Sequence, residues 1–225
     1  MHANKPRLPG ASDRIVIVGR TGSGKTQAAI FHLSRQDFDA RPWIIIDYKG
    51  DDLISGIKKA EHIDYSTVPD DPGIYILSVL PGEEDDLSEW FRKVWEHENV
   101  GVYIDEGYMV GQRDKWFNAC LTQGRSKRIT MIILSQRPLW MSRFAFSEAS
   151  FIQVFSLTDA DDMKVVQRFM KGESKGDVTS QLKRYHSFYY DVGENKVVLF
   201  SPVPSGKELL QTINSRLPDK KRRGL

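Results

Sequence analysis

The chemistry of this chain begins in the stretch GRTGSGKT, residues 19–26. Its glycines, lysine and threonine fall in the spacing G-x-x-x-x-G-K-[ST], a loop pattern that holds polyphosphate. Glycines let the backbone curl until its N–H groups face phosphate oxygens. A helix starting near Lys25 turns its positive end to the anion. The expected contact set is Gly19, Arg20, Thr21, Gly22, Ser23, Gly24, Lys25, Thr26 and Gln27. Lys25 is placed to reach the β- and γ-phosphates, and the Thr26 hydroxyl to ligate Mg²⁺.

Hydrolysis needs more than a phosphate cradle. A nucleotide-bound Mg²⁺ calls for a carboxylate at the end of a neighbouring strand. GVYIDE supplies Asp105 after an apolar run, and Glu106 stands next to it, placed to polarise an attacking water. The pair resembles a Walker B acid with an added catalytic glutamate. The plainer reading of Glu106 is a solvated loop acid. A third polar group, Gln136, ends the apolar stretch ITMIILS and fits a γ-phosphate sensor. No N-K-x-D string for guanine occurs, nor an Arg-rich lid of the nucleotide-kinase kind. ATP is therefore the expected nucleotide, although no residue identifiable in the sequence reads its base.

These groups require a scaffold that brings several strand ends together. RIVIVG before the loop reads as a buried strand, and KTQAAIFHLSR after it as a helix. Further strands are expected at WIIID (43–47), GIYILSVL (73–80), VGVYIDE, ITMIILS and FIQVFSL. In LSEWFRKVWEH the residues Leu87, Trp90, Phe91, Val94 and Trp95 share one helical face, which assigns both tryptophans to the core. Helices are also expected at DKWFNACLTQ and TDADDMKVVQRFM, the latter capped by Thr158 with Asp161. SFYYDVGENKVVLFSPV reads as a hairpin about a Gly-Glu-Asn turn, followed by the helix GKELLQTINSRL. Strand and helix alternate over most of the length. The expected fold class is thus α/β, a mainly parallel sheet flanked by helices with an antiparallel C-terminal hairpin. Residues 1–13 form a flexible arm in this reading, 14–217 a single domain with the hairpin and helix at 187–217, and 218–225 a basic tail.

Composition bounds the rest. The 225 residues are 40% hydrophobic and 28% charged with a net charge of +2, as in a globular protein that is no polycation. One cysteine, Cys120, forbids an internal disulfide and fits a reducing compartment. The five histidines are scattered, which argues against structural zinc. The sequence shows no secretory h-region and no apolar run of membrane-spanning length.

Four motifs then occur in a telling order: the P-loop, Asp47-x-Lys49-Gly50, Asp105-Glu106, and Ser135-Gln136-Arg137-Pro138, the last preceded by Arg125. Over roughly residues 14–170 this order resembles the FtsK/HerA superfamily of P-loop ATPases. The compact size is most similar to its genome-packaging members from tailless double-stranded DNA viruses, many with an internal membrane. The resemblance implies a RecA-like fold of the ASCE type. It implies a homo-oligomeric ring, pentamer or hexamer, in which a neighbour's arginine completes each site. Arg125 is the first choice for that finger, with Lys127 and Arg128 as others; Arg128 stands where the family often has glycine. A plain basic turn is the alternative for this cluster. Such a finger is worth roughly 10³–10⁵ in rate.

The same resemblance implies an ATP- and Mg²⁺-dependent translocase that grips double-stranded DNA by its phosphates, without regard to sequence. Lys49, Arg113 and Lys115 are candidate contacts, with ordinary surface charge an equal reading, and Lys220–Arg223 is a candidate for DNA or an acidic capsid patch. The motor would work in the host cytoplasm, at the packaging vertex, on a capsid or vertex protein and with no membrane span of its own. The alternatives are a Zot-like phage assembly or secretion ATPase, which usually has a membrane span, and a non-packaging translocase of the same superfamily. A P-loop module that binds ATP without hydrolysing it is opposed by Asp105, Glu106 and Gln136.

Overall fold

The computed structural model describes residues 6–170 and 182–217. The Arg14–Val18 run, β-branched and wholly buried, forms β1 and occupies the sheet interior. The helix α1 (Lys25–Ser34) follows it, then β2 (Pro42–Asp47), a four-residue helix α2 (Asp52–Ser55), and the strands β3 (Glu61–Ile63) and β4 (Gly73–Ser78). Next come α3 (Glu84–His97), β5 (Gly101–Ile104), α4 (Lys115–Gln123), β6 (Thr130–Ser135), α5 (Arg143–Ser147), β7 (Phe151–Val154) and α6 (Ala160–Phe169). The chain closes with β8 (Ser187–Asp191), β9 (Lys196–Phe200) and α7 (Gly206–Arg216).

The nine strands of the described residues make one sheet in the order β3-β4-β2-β5-β6-β1-β7-β8-β9. Every pairing from β3 to β7 is parallel, and β8 and β9 add antiparallel strands at one edge, as the hairpin pattern implies. Strand alternation splits the core in two. Val16, Ile44, Val102 and Ile133 point to the layer that holds α3, α4, α5 and α6. Ile15, Ile17, Ile45 and Ile132 point to the layer of α1 and α7. Because the central strands are parallel, the loops after β1, β2, β5 and β6 all emerge at one edge. That edge is where open parallel sheets bind ligands.

Several details depart from the sequence reading. β3, α2 and α5 are too short to show a period. The cap of α6 is Asp159, not Thr158: its carboxylate accepts from the N–H groups of Asp161 and Asp162 with the backbone extended. Trp90 is fully buried, while Trp95 is only partly so, lying against Trp116 with the Lys127 ammonium 4.0 Å from its ring centre. Residues 7–13 are tied down along the fold. Arg7 bonds Asp191, the Pro9 carbonyl accepts from Gln36 at 3.0 Å, and the Ala11 carbonyl accepts from the Thr130 hydroxyl. Residues 1–5 and the basic run 220–223 lie outside the described residues.

Candidate active site

Helix α1 begins at Lys25 with no side-chain cap and no acid in its first turn, whereas α3, α6 and α7 each carry acids there. Its leading N–H groups and its dipole are therefore free to serve an anion. Gly24 takes φ 103°, a backbone state that L side chains rarely adopt, so glycine is required where the loop turns into the helix. Lys25 is buried and donates to the Arg20 carbonyl at 3.0 Å across the loop. Burial, then repulsion from Lys49, depresses its ammonium to about 8, with Asp105 pulling the other way. A lysine held so is short of negative charge.

Asp105 and Glu106 follow β5 and are both buried. Burial lifts the Asp105 carboxyl to about 6, Lys49 opposes this, and Asp51 and Asp47 add to it. The Asp105 Oδ2 and Glu106 Oε2 atoms are buried with no hydrogen-bond partner, and so is the Ser23 hydroxyl. Few acids beside a phosphate loop suit a cation held mostly by phosphate oxygens and water. In keeping with that, no group of three or more His, Cys, Asp or Glu among the described residues could hold a metal by itself. Glu106 has left-handed backbone, φ 64° and ψ 58°, a strained state for a non-glycine residue of the kind that clusters at functional sites. It is not the solvated loop acid of the plainer reading, being 3% exposed.

The Asp47-x-Lys49-Gly50 motif acquires a physical account. Asp47 Oδ1 accepts from the N–H groups of Lys49 and Gly50 at 3.1 and 3.0 Å, closing a tight turn at the end of β2. Gly50 supplies the positive φ of 67°. The turn sends the Lys49 side chain back across the sheet edge, where its ammonium pairs with Glu106 Oε1. The sequence marks Lys49 as a motif residue and as a candidate DNA contact or surface charge, but not this pairing, which needs β2 beside β5.

Gln136 follows β6, and its Oε1 accepts from the Thr21 hydroxyl at 2.5 Å, which ties the end of β6 to the glycine loop directly. The Ser135 hydroxyl accepts from the Arg137 N–H and shapes the turn. Arg137 leans away, toward Asp162 at 3.5 Å and Asp159 at 3.6 Å and over Trp140. Thr26 sits half-buried one residue into α1. Gln27 is spent elsewhere: its amide donates to the Pro204 carbonyl at 2.6 Å, which anchors the segment before α7.

The basic turn before β6 lies at the other edge of the sheet, roughly 17–20 Å from the loop across the length of β6. Arg125 is exposed there, Lys127 pairs with Glu98 at 2.6 Å, and Arg128 has φ 55°. The left-handed φ accounts for glycine at this position in the family that the motifs resemble. None of the three reaches the phosphate loop of its own chain. Arg113 is exposed on the loop after Asp105, and Lys115 is exposed at the start of α4.

The loop, the two acids, Lys49 and Gln136 thus meet at one edge, an arrangement able to bind a triphosphate with a cation and to activate water. The chain matches no family model. It is 45% identical over 213 residues to the DNA packaging ATPase P9 of Enterobacteria phage PRD1, covering 91% of this chain and 93% of that protein. Its fold is similar to that of the genome packaging NTPase B204 from Sulfolobus turreted icosahedral virus 2 in complex with AMP, with TM-score 0.69, 18% identity, 87% of this chain and all of that one covered. VirB4 of Thermoanaerobacter pseudethanolicus is also similar, with TM-score 0.66, 9% identity and coverage of 87% and 90%. By its identity to P9 across nearly its whole length, the chain belongs to the family of viral DNA packaging ATPases of which P9 is a member.

Proposed function

We propose that this chain is the ATPase of a viral genome-packaging motor, hydrolysing ATP to drive double-stranded DNA into a capsid. The observation that carries the reading is the convergence of Lys25, Asp105, Glu106 and Gln136 at one sheet edge, brought there by the ends of three parallel strands, β1, β5 and β6. Lys25 and the first turn of α1 bind the phosphates. Thr26 and Asp105 would hold Mg²⁺, which supplies electrophilic stabilisation of the phosphoryl group. Glu106 polarises the attacking water, and Gln136, already on Thr21, registers the γ-phosphate.

Arg125, exposed and remote from its own loop, is suited to a neighbour's site in a homo-oligomeric ring, pentamer or hexamer. DNA would pass by phosphate contacts, with Arg113 on the exposed loop after Asp105 and Lys115 at the start of α4 as candidates. Capsid or vertex protein would dock the motor in the host cytoplasm. No described helix is long and apolar enough to cross a membrane.

The test is ATPase rate with and without long double-stranded DNA, for wild type and Glu106→Gln. DNA stimulates the wild type. The variant keeps nucleotide affinity and loses about 10²–10⁴ in turnover, the usual share of a positioned base. A wild-type rate indifferent to DNA refutes the translocase reading.

A further inference from the structure

We infer that the purine base of the bound nucleotide lodges between the start of α1 and the β7–β8 edge, against the ring of Tyr185. This rests on the ATPase reading and specifies which residues recognise the nucleoside. Sheet order decides the direction. Asp105 and Gln136 follow β5 and β6, which lie to one side of β1, so the γ-phosphate end faces that side. The nucleoside end must then leave the loop on the other side, toward β7 and β8.

A cavity of about 140 Å³ stands there, beside Gly24 and Gln27. Phe155, Tyr185 and Val203 give it apolar lining, and Gln27, Gln153, Ser187 and Ser201 give it polar lining. Apolar surface together with a few fixed polar groups is the usual form of a small-molecule site. A second cavity of about 330 Å³ also touches Tyr185, but Arg20, Lys183 and Arg184 line it, a setting for anions and not for a neutral base.

Tyr185 is an unusual residue to find free of the core. Its side chain is 42% exposed, its φ is 64°, and its ring packs over Gly24, the last glycine of the loop. A bulky residue in left-handed backbone is a real outlier, and such strain persists where the surroundings hold it. The Arg184 guanidinium lies 4.7 Å from the ring centre and helps to fix it. An aromatic ring beside the phosphate cradle is a stacking platform for a base.

Two of the polar groups, Gln153 and Ser187, are held by hydrogen bonds. Gln153, wholly buried on β7, accepts from His32 Nε2 through Oε1 at 2.8 Å and donates through Nε2 to the Ser187 hydroxyl at 2.8 Å. His32 lies in α1 and is fully buried, and burial depresses it to about 4, so the ring stays neutral and Nε2–H is its donor. With its oxygen engaged by Gln153, the Ser187 hydroxyl hydrogen is left to donate to an acceptor in the cavity. Purine ring nitrogens are such acceptors.

The test is equilibrium binding of ATP and, separately, of inorganic tripolyphosphate, to wild type, Tyr185→Ala, Tyr185→Phe and Lys25→Ala. Tyr185→Ala is expected to weaken ATP about fivefold or more, the low end of base–aromatic stacking, while tripolyphosphate stays within about twofold. Tyr185→Phe, which keeps the ring, restores ATP affinity. An ATP loss smaller than fivefold in Tyr185→Ala, or an equal loss of tripolyphosphate, overturns the assignment. Lys25→Ala weakens both ligands if the phosphate site is as described. Indifference of both ligands to that change would overturn the underlying ATP reading itself, whatever Tyr185 does.

Discussion

Replacing Lys49 with alanine removes the cation that, among the described residues, pairs with Glu106. Glu106 then remains a 4%-exposed carboxylate without a counterion, beside a second buried acid, Asp105, that Lys49 also steadies. One effect opposes this: Lys49 repels Lys25, and that repulsion disappears. Two carboxylates lose a partner while one ammonium gains relief, so the net change is destabilising. Stripping one member of a fully buried pair costs about 3–5 kcal/mol. Lys49 is 48% exposed, and water already screens it. The expected cost is therefore about 1–2 kcal/mol at pH 8. For a domain of this size that lowers Tm by about 3–6 °C.

The pH dependence follows from Asp105. Its folded-state carboxyl is raised from 3.8 to about 6, so the folded chain holds a proton that the unfolded chain has released. Stability from this group is present at low pH and is lost as pH rises through about 6. At pH 5 Asp105 is already mostly neutral and makes little demand on Lys49. The difference in Tm between Lys49→Ala and wild type is thus smaller at pH 5 than at pH 8. Thermal melts of the nucleotide-free protein at both pH values measure it. A shift below about 1 °C at pH 8, or equal shifts at both pH values, would refute the electrostatic account.

Lys25, depressed to about 8 when free, regains its proton under a triphosphate. At pH 8 nucleotide binding should take up about half a proton. Calorimetry in two buffers of different ionisation enthalpy detects it, and identical heats would exclude it. Mixing Arg125→Ala with Lys25→Ala subunits should regain some of the ATPase activity that each lacks alone, because some interfaces then combine two intact halves. No regain at any ratio rules out Arg125 as the finger. Gly101→Ala sets a methyl group into the ring of fully buried Trp43, and urea unfolding should show a loss of about 1–3 kcal/mol or more. A loss under 1 kcal/mol would mean that Trp43 can give way.

How much could be read beforehand differs from residue to residue. Lys25, Thr26 and the loop glycines form one contiguous stretch whose spacing is itself the site, so tertiary context adds little to naming them. Asp105 and Gln136 were readable because each ends an apolar strand, and parallel strands bring their ends to a common edge. Lys49 was noticed as a motif residue, but its reach to Glu106 spans 57 positions of sequence and depends on β2 and β5 being neighbours. The cap of α6 falls on Asp159, one residue past the Thr158 that the sequence pattern indicates, because one residue of phase cannot be settled without backbone dihedrals.

The amino-acid sequence by itself determined the glycine-rich loop before α1, the acids Asp105 and Glu106 and the amide Gln136 at strand ends, and the alternation that makes a parallel sheet, because these are local patterns of spacing and polarity. Only the tertiary structure decided that β8 returns antiparallel beside β7. That pairing brings Ser187 onto Gln153, and the turn before β8 lays Tyr185 over Gly24, more than 150 positions away in the chain. Nothing in the neighbourhood of Tyr185 marks it as a nucleotide contact. Its meaning comes from what the sheet order places opposite it.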